Sequence, residues 1–255
     1  MGRCIVVTSG KGGVGKTTVT AALGVTLSQK GESVVLVDAD VTLNNLDLVL
    51  GLENKVAYDL HDVLRGKCRI NQALVEYDER LKLLPSVRGF NVSSKDFVKV
   101  VTNLRETCDY LLIDCPAGID DGFIRAVSPA DEGIVVTTPS PSALRDADKV
   151  VGALTKYSIR NAGLIVNRSR GDLIMEGEML SPKEIAKLLH VKLLGCLPET
   201  DEALDVYGAL PKDDRYVKAV RMTVFCLQNL RGEIYDPTVD YRGVMGAIKR
   251  LLKKV

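Results

Sequence analysis

Long apolar runs are missing from this 255-residue chain. None approaches the ~18 residues of a membrane-spanning helix. C-x-x-C pairs are missing too. The six cysteines, Cys4, Cys68, Cys108, Cys115, Cys196 and Cys226, sit mostly in apolar strand or helix contexts. There a thiol behaves as a small hydrophobe, and no disulfide framework is expected. Internal repeats and low-complexity tracts are absent. Neither charge dominates: 34 basic residues face 33 acidic ones, for a net charge of +1. The imbalance is local. Residues 241–255 hold Arg242, Lys249, Arg250, Lys253 and Lys254 with no acid, which leaves the rest slightly acidic. An acidic body lacks the basic stripe of a nucleic-acid binder. The N-terminal "MGRCIVVTSGKGG" carries one basic residue before a short apolar run, and the run stops too soon for a signal peptide. The expected compartment is the cytosol.

What is present is an alternation of strand-like and helix-like segments. "RCIVVT" (3–8) reads as a strand running from sheet edge to core, followed by a glycine loop and a helix over 16–30 that Gly31 ends. Further strands are expected at 33–38, 81–86, 110–114, 132–138, 162–167 and 191–198. Helices are expected at 58–66, 96–106, 141–157, 181–189 and near 213–230. Ser181, Pro182 and Glu184 carry the signature of a capped helix start. Continuous apolar strands separated by helices predict an α/β fold, a mostly parallel sheet covered on both faces. Ligands of such sheets bind at the carboxyl ends of the strands. The stretch 231–243, with Pro237 and several breakers, reads as a linker.

Gly10-Lys11-Gly12-Gly13-Val14-Gly15-Lys16-Thr17 fits G-x-x-x-x-G-K-[ST] between a strand and a helix, the context that a phosphate-binding loop requires. Backbone N–H groups from Gly12 through Thr18 converge on phosphate oxygens, helped by the helix dipole. Lys16 is expected to neutralise the β and γ phosphates of ATP, and the Thr17 hydroxyl to meet Mg²⁺. Lys11 is a second lysine on the same loop. Two readings fit it: a stem that carries its charge into water, or a group serving a nucleotide on another subunit. Asp38 and Asp40 close the second strand, and Asp114 closes "YLLID" in the metal-facing position. Asp114 is expected to hold Mg²⁺ through water, with Asp38 supporting it from behind.

The loop "KGGVGKTT" resembles the deviant Walker A motif of the MinD/ParA family of P-loop ATPases. "VDADVTLNNLDLVLGLE", "DYLLIDCPAGI", "VVTTPSPSALRDAD", "GEMLSPKEI" and the basic C-terminus resemble its MinD branch. The resemblance runs from residue 3 to about 200 and returns in the tail. It implies that Lys11 crosses a homodimer interface to the partner's phosphates. Without ATP, a carboxylate, Asp146 or Asp148, is expected as the resting partner of the Lys11 ammonium. The resemblance also implies that Asp40 positions the attacking water, that Asn167 meets adenine, and that Pro198 and Glu199 bracket the base. On its residues alone, Asn167 reads equally as a turn residue at a strand end. Gly118 is expected to let a second switch rearrange. The family further implies a septum inhibitor of MinC type and a MinE-type or polar topological factor as partners.

In "YRGVMGAIKRLLKKV", Val244, Met245, Ile248, Leu251, Leu252 and Val255 share roughly a 120° arc of a helix, opposite Arg242, Lys249, Arg250, Lys253 and Lys254. This is the pattern of a surface helix. It fits an anionic membrane surface or docking on the body by the apolar face. The expected division is 1–230 ATPase domain, 231–240 linker and 241–255 membrane helix. Two stretches depart from the family. Thr42-Leu43-Asn44-Asn45 lacks the usual arginine of the first switch, and "DVYGALP" (205–211) replaces the usual stretch beside the base. Three rivals follow from the motifs: a ParA-like DNA-segregating ATPase, a flagellar-number regulator, and an iron–sulfur reductase. The last needs a cysteine where Asp121 stands.

Overall fold

The computed structural model describes residues 1–40, 45–86, 92–157, 159, 161–200, 210, 212–243 and 246. Its strands are β1 (Arg3–Thr8), β2 (Val34–Asp38), β3 (Val75–Glu76), β4 (Leu81–Leu84), β5 (Tyr110–Asp114), β6 (Glu132–Thr137), β7 (Asn161–Ser169) and β8 (Lys192–Pro198). Its helices are α1 (Lys16–Gln29), α2 (Leu46–Leu50), α3 (Leu60–Leu64), α4 (Ile70–Ala73), α5 (Ser94–Arg105), α6 (Asp121–Val127), α7 (Pro141–Lys156), α8 (Gly171–Glu176), α9 (Pro182–Leu188) and α10 (Asp214–Asn229). Short 3₁₀ turns lie at Glu53–Lys55 and Val239–Tyr241.

The strands form one sheet in the order β3-β4-β2-β5-β1-β6-β7-β8. Its pairs are parallel except β3 with β4, as the buried apolar runs predict. β1 does not start at an edge. It lies inside, between β5 and β6, so its carboxyl end delivers the glycine loop to the middle of the sheet. Strand alternation sorts the core into two layers. Ile5 and Val7 face the layer of α1 and α10, while Cys4 and Val6 face that of α5, α6 and α7. α1 is buried on nearly every side, because α2 and α10 cover the face turned away from the sheet.

Local signals set the helix limits. Asp59 accepts from the N–H groups of His61 and Asp62, and Gly66, at φ 70°, closes the turn, so the helix expected over 58–66 shortens to α3. The capping box of Ser181 and Glu184 is formed in both directions. The segment from 231 to 243 is not a free linker. Pro237, Thr238 and Tyr241 are buried, the Pro237 carbonyl packs on Gly171, and Arg242 pairs with Asp236. Breaker residues marked irregular backbone correctly, but that backbone is docked. Of the expected tail residues, Val244, Met245, Ile248, Lys249, Arg250, Leu251, Leu252, Lys253, Lys254 and Val255 lie outside the described residues, as do Thr42 to Asn44 and most of 205–211. No described helix is long and apolar enough to cross a membrane.

Candidate functional site

The carboxyl ends of β1, β2 and β5 meet at one point. Parallel register pairs Asp38 with Asp114, and Val7 with Asp114, on neighbouring strands. At a strand spacing of ~4.8 Å, the two carboxyl groups are side by side. The loop after β1 rises over them. Gly13 and Gly15 take φ of 78° and 91°, a left-handed conformation open chiefly to glycine. Val14 is buried beneath the loop as an apolar anchor. Space is open around the missing side chains of Gly12 and Gly13, so the mouth of the loop is free of protein. α1 starts at Lys16, and its N-terminal N–H groups face the same edge.

Lys16 and Thr17 both turn to Asp114. Lys16 Nζ donates to Asp114 Oδ1 at 2.8 Å, and Thr17 Oγ1 contacts Oδ2 at 2.7 Å. Burial pulls the Lys16 ammonium down, but the charge and hydrogen bond of Asp114 outweigh it and hold the group above its ordinary range. Asp38 goes the other way. Burial and the Asp114 charge push it from 3.8 up to about 8, against hydrogen bonds from the Asp40 and Leu46 N–H groups. Asp40, two residues past the end of β2, is buried, and its carbonyl accepts from Ser86 Oγ at 3.4 Å. Thr18 sits half-buried in the first turn of α1.

Lys11 stands apart from this cluster. It is exposed and donates to Ser142 Oγ at 2.9 Å, in the first turn of α7. The expected resting partners are therefore corrected: Asp146 pairs with Lys149 at 3.1 Å, and the hydroxyl, not a carboxylate, receives Lys11. Lys11, Gly12 and Gly13 line a groove of about 1030 Å³ with Leu144, Arg145, Asp148, Arg168, Leu188 and Glu199.

Asn167 does not end its strand. β7 runs on to Ser169, with a break in register after Val166 and a left-handed Arg168 at φ 56°. The Asn167 amide donates to the Val14 carbonyl of the glycine loop at 2.9 Å. Pro198 is buried at the end of β8 and Glu199 is exposed beside it; both line a polar cavity of about 270 Å³. Two partners escaped the sequence. Thr20, one helical turn after Lys16, places Oγ1 3.1 Å from Asp114 Oδ1, and its only advance signal was its helical spacing. Ser142 had no signal beyond its place at the start of α7.

The donor set at this edge is a hydroxyl and carboxylates, all hard oxygen ligands. Among the described residues, no cluster of three or more His, Cys, Asp or Glu could hold a metal ion alone. That combination fits Mg²⁺, which takes one or two protein ligands and fills its shell with water and phosphate oxygens.

The chain is similar to known proteins along most of its length. The ParA family described as NUBPL iron-transfer P-loop NTPase matches residues 1–204. The septum site-determining protein MinD of Synechocystis is 42% identical over 263 residues, covering 100% of this chain and 97% of that protein. A MinD relative in Oltmannsiellopsis viridis is 49% identical over 209 residues, 79% of this chain but only 66% of its own length. Among solved structures, the MinC:MinD cell division complex of Aquifex aeolicus matches at 39% identity and a TM-score of 0.82, over 89% of this chain and 95% of that one. MinD of Pyrococcus horikoshii, complexed with Mg-ADP, matches at 32% identity and a TM-score of 0.79, over 90% and 97%.

Proposed function

The chain belongs to the MinD family of ParA-type P-loop NTPases, and from that premise we propose that it is a Mg²⁺-dependent ATPase that helps to place the division septum. The observation that carries the reading is the split between its two loop lysines. Lys16 is sunk on Asp114, while Lys11 lies exposed on the outer face of the loop. Triphosphate draws Lys16 and the loop N–H groups onto its β and γ oxygens. The Thr17 hydroxyl and Asp114 are then freed for Mg²⁺, which when bound neutralises charge on those oxygens. Asp38 supports Asp114, and Asp40 orients the water that attacks the γ phosphorus. Asn167, Pro198 and Glu199 flank the base.

Lys11 swings from Ser142 into the facing subunit, where a second triphosphate supplies the anion that a desolvated ammonium needs. ATP thereby joins two copies face to face. We assign residues 1–230 as the ATPase unit, 231–240 as the connector and 241–255 as a helix that binds the inner face of the cell membrane peripherally. Each basic residue near anionic lipid contributes about 1 kcal/mol at most, and one short apolar face binds reversibly. Two tails on one dimer gain ~10²–10⁴ in avidity, and hydrolysis releases them. The Aquifex neighbour was solved with MinC, which supports a MinC-type inhibitor as the recruited partner; a MinE-type or polar factor would set the pattern.

Two variants test this. Lys11→Ala is expected to bind ADP normally but to stay monomeric by light scattering with ATP. Ile248→Glu is expected to dimerise but to leave anionic vesicles in sedimentation. ATP-driven dimers of Lys11→Ala, or unchanged vesicle binding by Ile248→Glu, would refute the corresponding step.

A further inference from the structure

Helix α10 shows an apolar face to solvent. Its inner side packs on β8 and α1. On its outer side Val217, Met222 and Phe225 line a groove of about 660 Å³ together with Lys30, Lys218 and Arg221. Phe225 is 49% exposed, and Leu230, just beyond the helix, is 61% exposed. Large apolar side chains gathered in water mark a surface that meets something. The Lys30 ammonium lies 5.6 Å from the centre of the Phe225 ring. Gly232 lies against the same ring, where a Cβ would overlap it.

The charges identify the occupant. Lys30, Lys218, Arg221 and Arg231 are exposed, and none has a carboxylate partner among the described residues. Asp214, Glu233 and Asp240 share the rim. Asp214 sits in the first turn of α10, where the helix dipole favours it. The cations instead surround the exposed ring. Apolar side chains ringed by lysine and arginine match the boundary between headgroups and acyl chains of an anionic bilayer.

Position favours the same occupant. Lys218 and Met222 also line a second hollow, of about 370 Å³, with Val239 and Asp240. The groove thus runs from Phe225 to the connector, whose Val239 is exposed, and so to the root of the proposed membrane helix. Lys218 and Phe225 are about 10 Å apart along α10, close to one Debye length at physiological salt. A bilayer that grips the tail therefore comes within electrostatic reach of this face. The other neighbour of the root, α8, ends in Glu176 and is followed by Glu178, which anionic lipid repels.

We infer that the outer face of α10 is a second lipid contact, in which Phe225 enters the headgroup boundary of an anionic membrane and Lys30, Lys218 and Arg221 meet its phosphates. This rests on the reading of 241–255 as a membrane helix and deepens it. The tail supplies the grip, and the α10 face fixes which side of the body lies against lipid.

The chain holds no tryptophan, so Phe225→Trp places a single indole at the contact. It is mixed with Mg²⁺, ATP and phosphatidylcholine vesicles that contain or lack phosphatidylglycerol. The emission should shift to the blue on the anionic vesicles and be quenched by brominated acyl chains, with no shift from ATP alone. The double variant Lys218→Gln/Arg221→Gln should still dimerise with ATP by light scattering. It should lose roughly tenfold in partition onto anionic vesicles, the worth of two basic residues near anionic lipid. Emission unmoved by vesicles that sediment the protein overturns the inference, as does unchanged partition of the double variant. Tighter vesicle binding by the double variant would put the chain's own tail in the groove. A shift from ATP without lipid, or loss of dimers in the double variant, would put a second copy there. Each of these also overturns the lipid contact. Ile248→Glu separates this failure from that of the tail. If that variant stays on vesicles, the membrane-helix reading fails and this inference with it. If it alone leaves them, only the α10 contact is removed.

Discussion

Replacing Asp38 by asparagine should flatten the pH dependence of stability in the nucleotide-free protein. Asp38 and Asp114 are 2% and 1% exposed and lie opposite one another in parallel register. Two charges about 5 Å apart at an effective dielectric of about 20 repel by about 3 kcal/mol. Lys16, bonded to Asp114 at 2.8 Å, offsets part of this, so a net cost of about 2 kcal/mol is reasonable when both carboxylates are ionised. The direction follows from linkage. Burial and the Asp114 charge raise Asp38 from 3.8 to about 8 in the folded state. Between those values the native chain holds a proton that the unfolded chain has released, so stability falls as pH rises through that window. Below it both states are protonated and the effect vanishes. Asp38→Asn also loses an acceptor for the Leu46 N–H, now bonded at 3.3 Å, at a pH-independent cost of about 1 kcal/mol. The quantity to compare is therefore the change between pH values, not the stability at either. Urea unfolding of both chains at about pH 5 and about pH 8.5 should show the wild type losing about 4 kcal/mol more than the variant, the repulsion plus the cost of ionising a buried carboxyl. Parallel profiles would mean that the two carboxylates do not share a proton, and the account of this cluster would fail.

Two further substitutions probe the scaffold. Gly15→Ala forces a side chain onto a residue at φ 91° and against the Asn167 amide; it should cost about 1–3 kcal/mol in urea unfolding and abolish ADP binding by calorimetry. Phe97→Ala empties a fully buried site in the layer of α5 and α6; the urea midpoint should fall by an amount equal to about 3–5 kcal/mol with an unchanged slope, and a loss under about 1 kcal/mol would mean that the site collapses.

The phosphate loop was legible in the sequence because its parts are contiguous: spacing alone places Gly10 and Gly15 between β1 and α1, with Lys16 and Thr17 opening the helix. The central strands were legible because burial on both faces leaves continuous apolar runs. The two-residue β3 was not, since it carries no pattern of its own and is ordered by pairing with β4. Partnerships across the sheet were harder still. That Asp38 meets Asp114 depends on the register of β2 and β5, which no local signal encodes. Lys11 was expected on a carboxylate because opposite charges attract, yet Ser142 lies within reach and Asp146 is taken by Lys149. Asn167 was read from its place near a strand end, whereas its orientation is set by a carbonyl on a distant loop.

The docked connector changes how the proposed membrane grip should be reasoned about. A free segment of the length of 231–243 would behave as a coil with an end-to-end distance of about 20 Å. It would let two tails of a dimer find lipid in almost any orientation. Here Pro237 and Tyr241 close on Gly171, and Arg242 is tied to Asp236. The described segment up to Gly243 is therefore held at one defined corner, beside α8. Avidity is greatest when the spacing of the anchors matches the spacing of their sites and falls when the tether must search. In the proposed face-to-face dimer, two tails tethered at fixed corners would spend little entropy on that search, but would bind only if both corners faced the bilayer together. Under the proposed ATP-driven pairing, the connector would couple the geometry of the nucleotide interface to lipid binding, and cutting the Arg242–Asp236 pair should weaken binding to vesicles even though neither residue belongs to the apolar face of the tail.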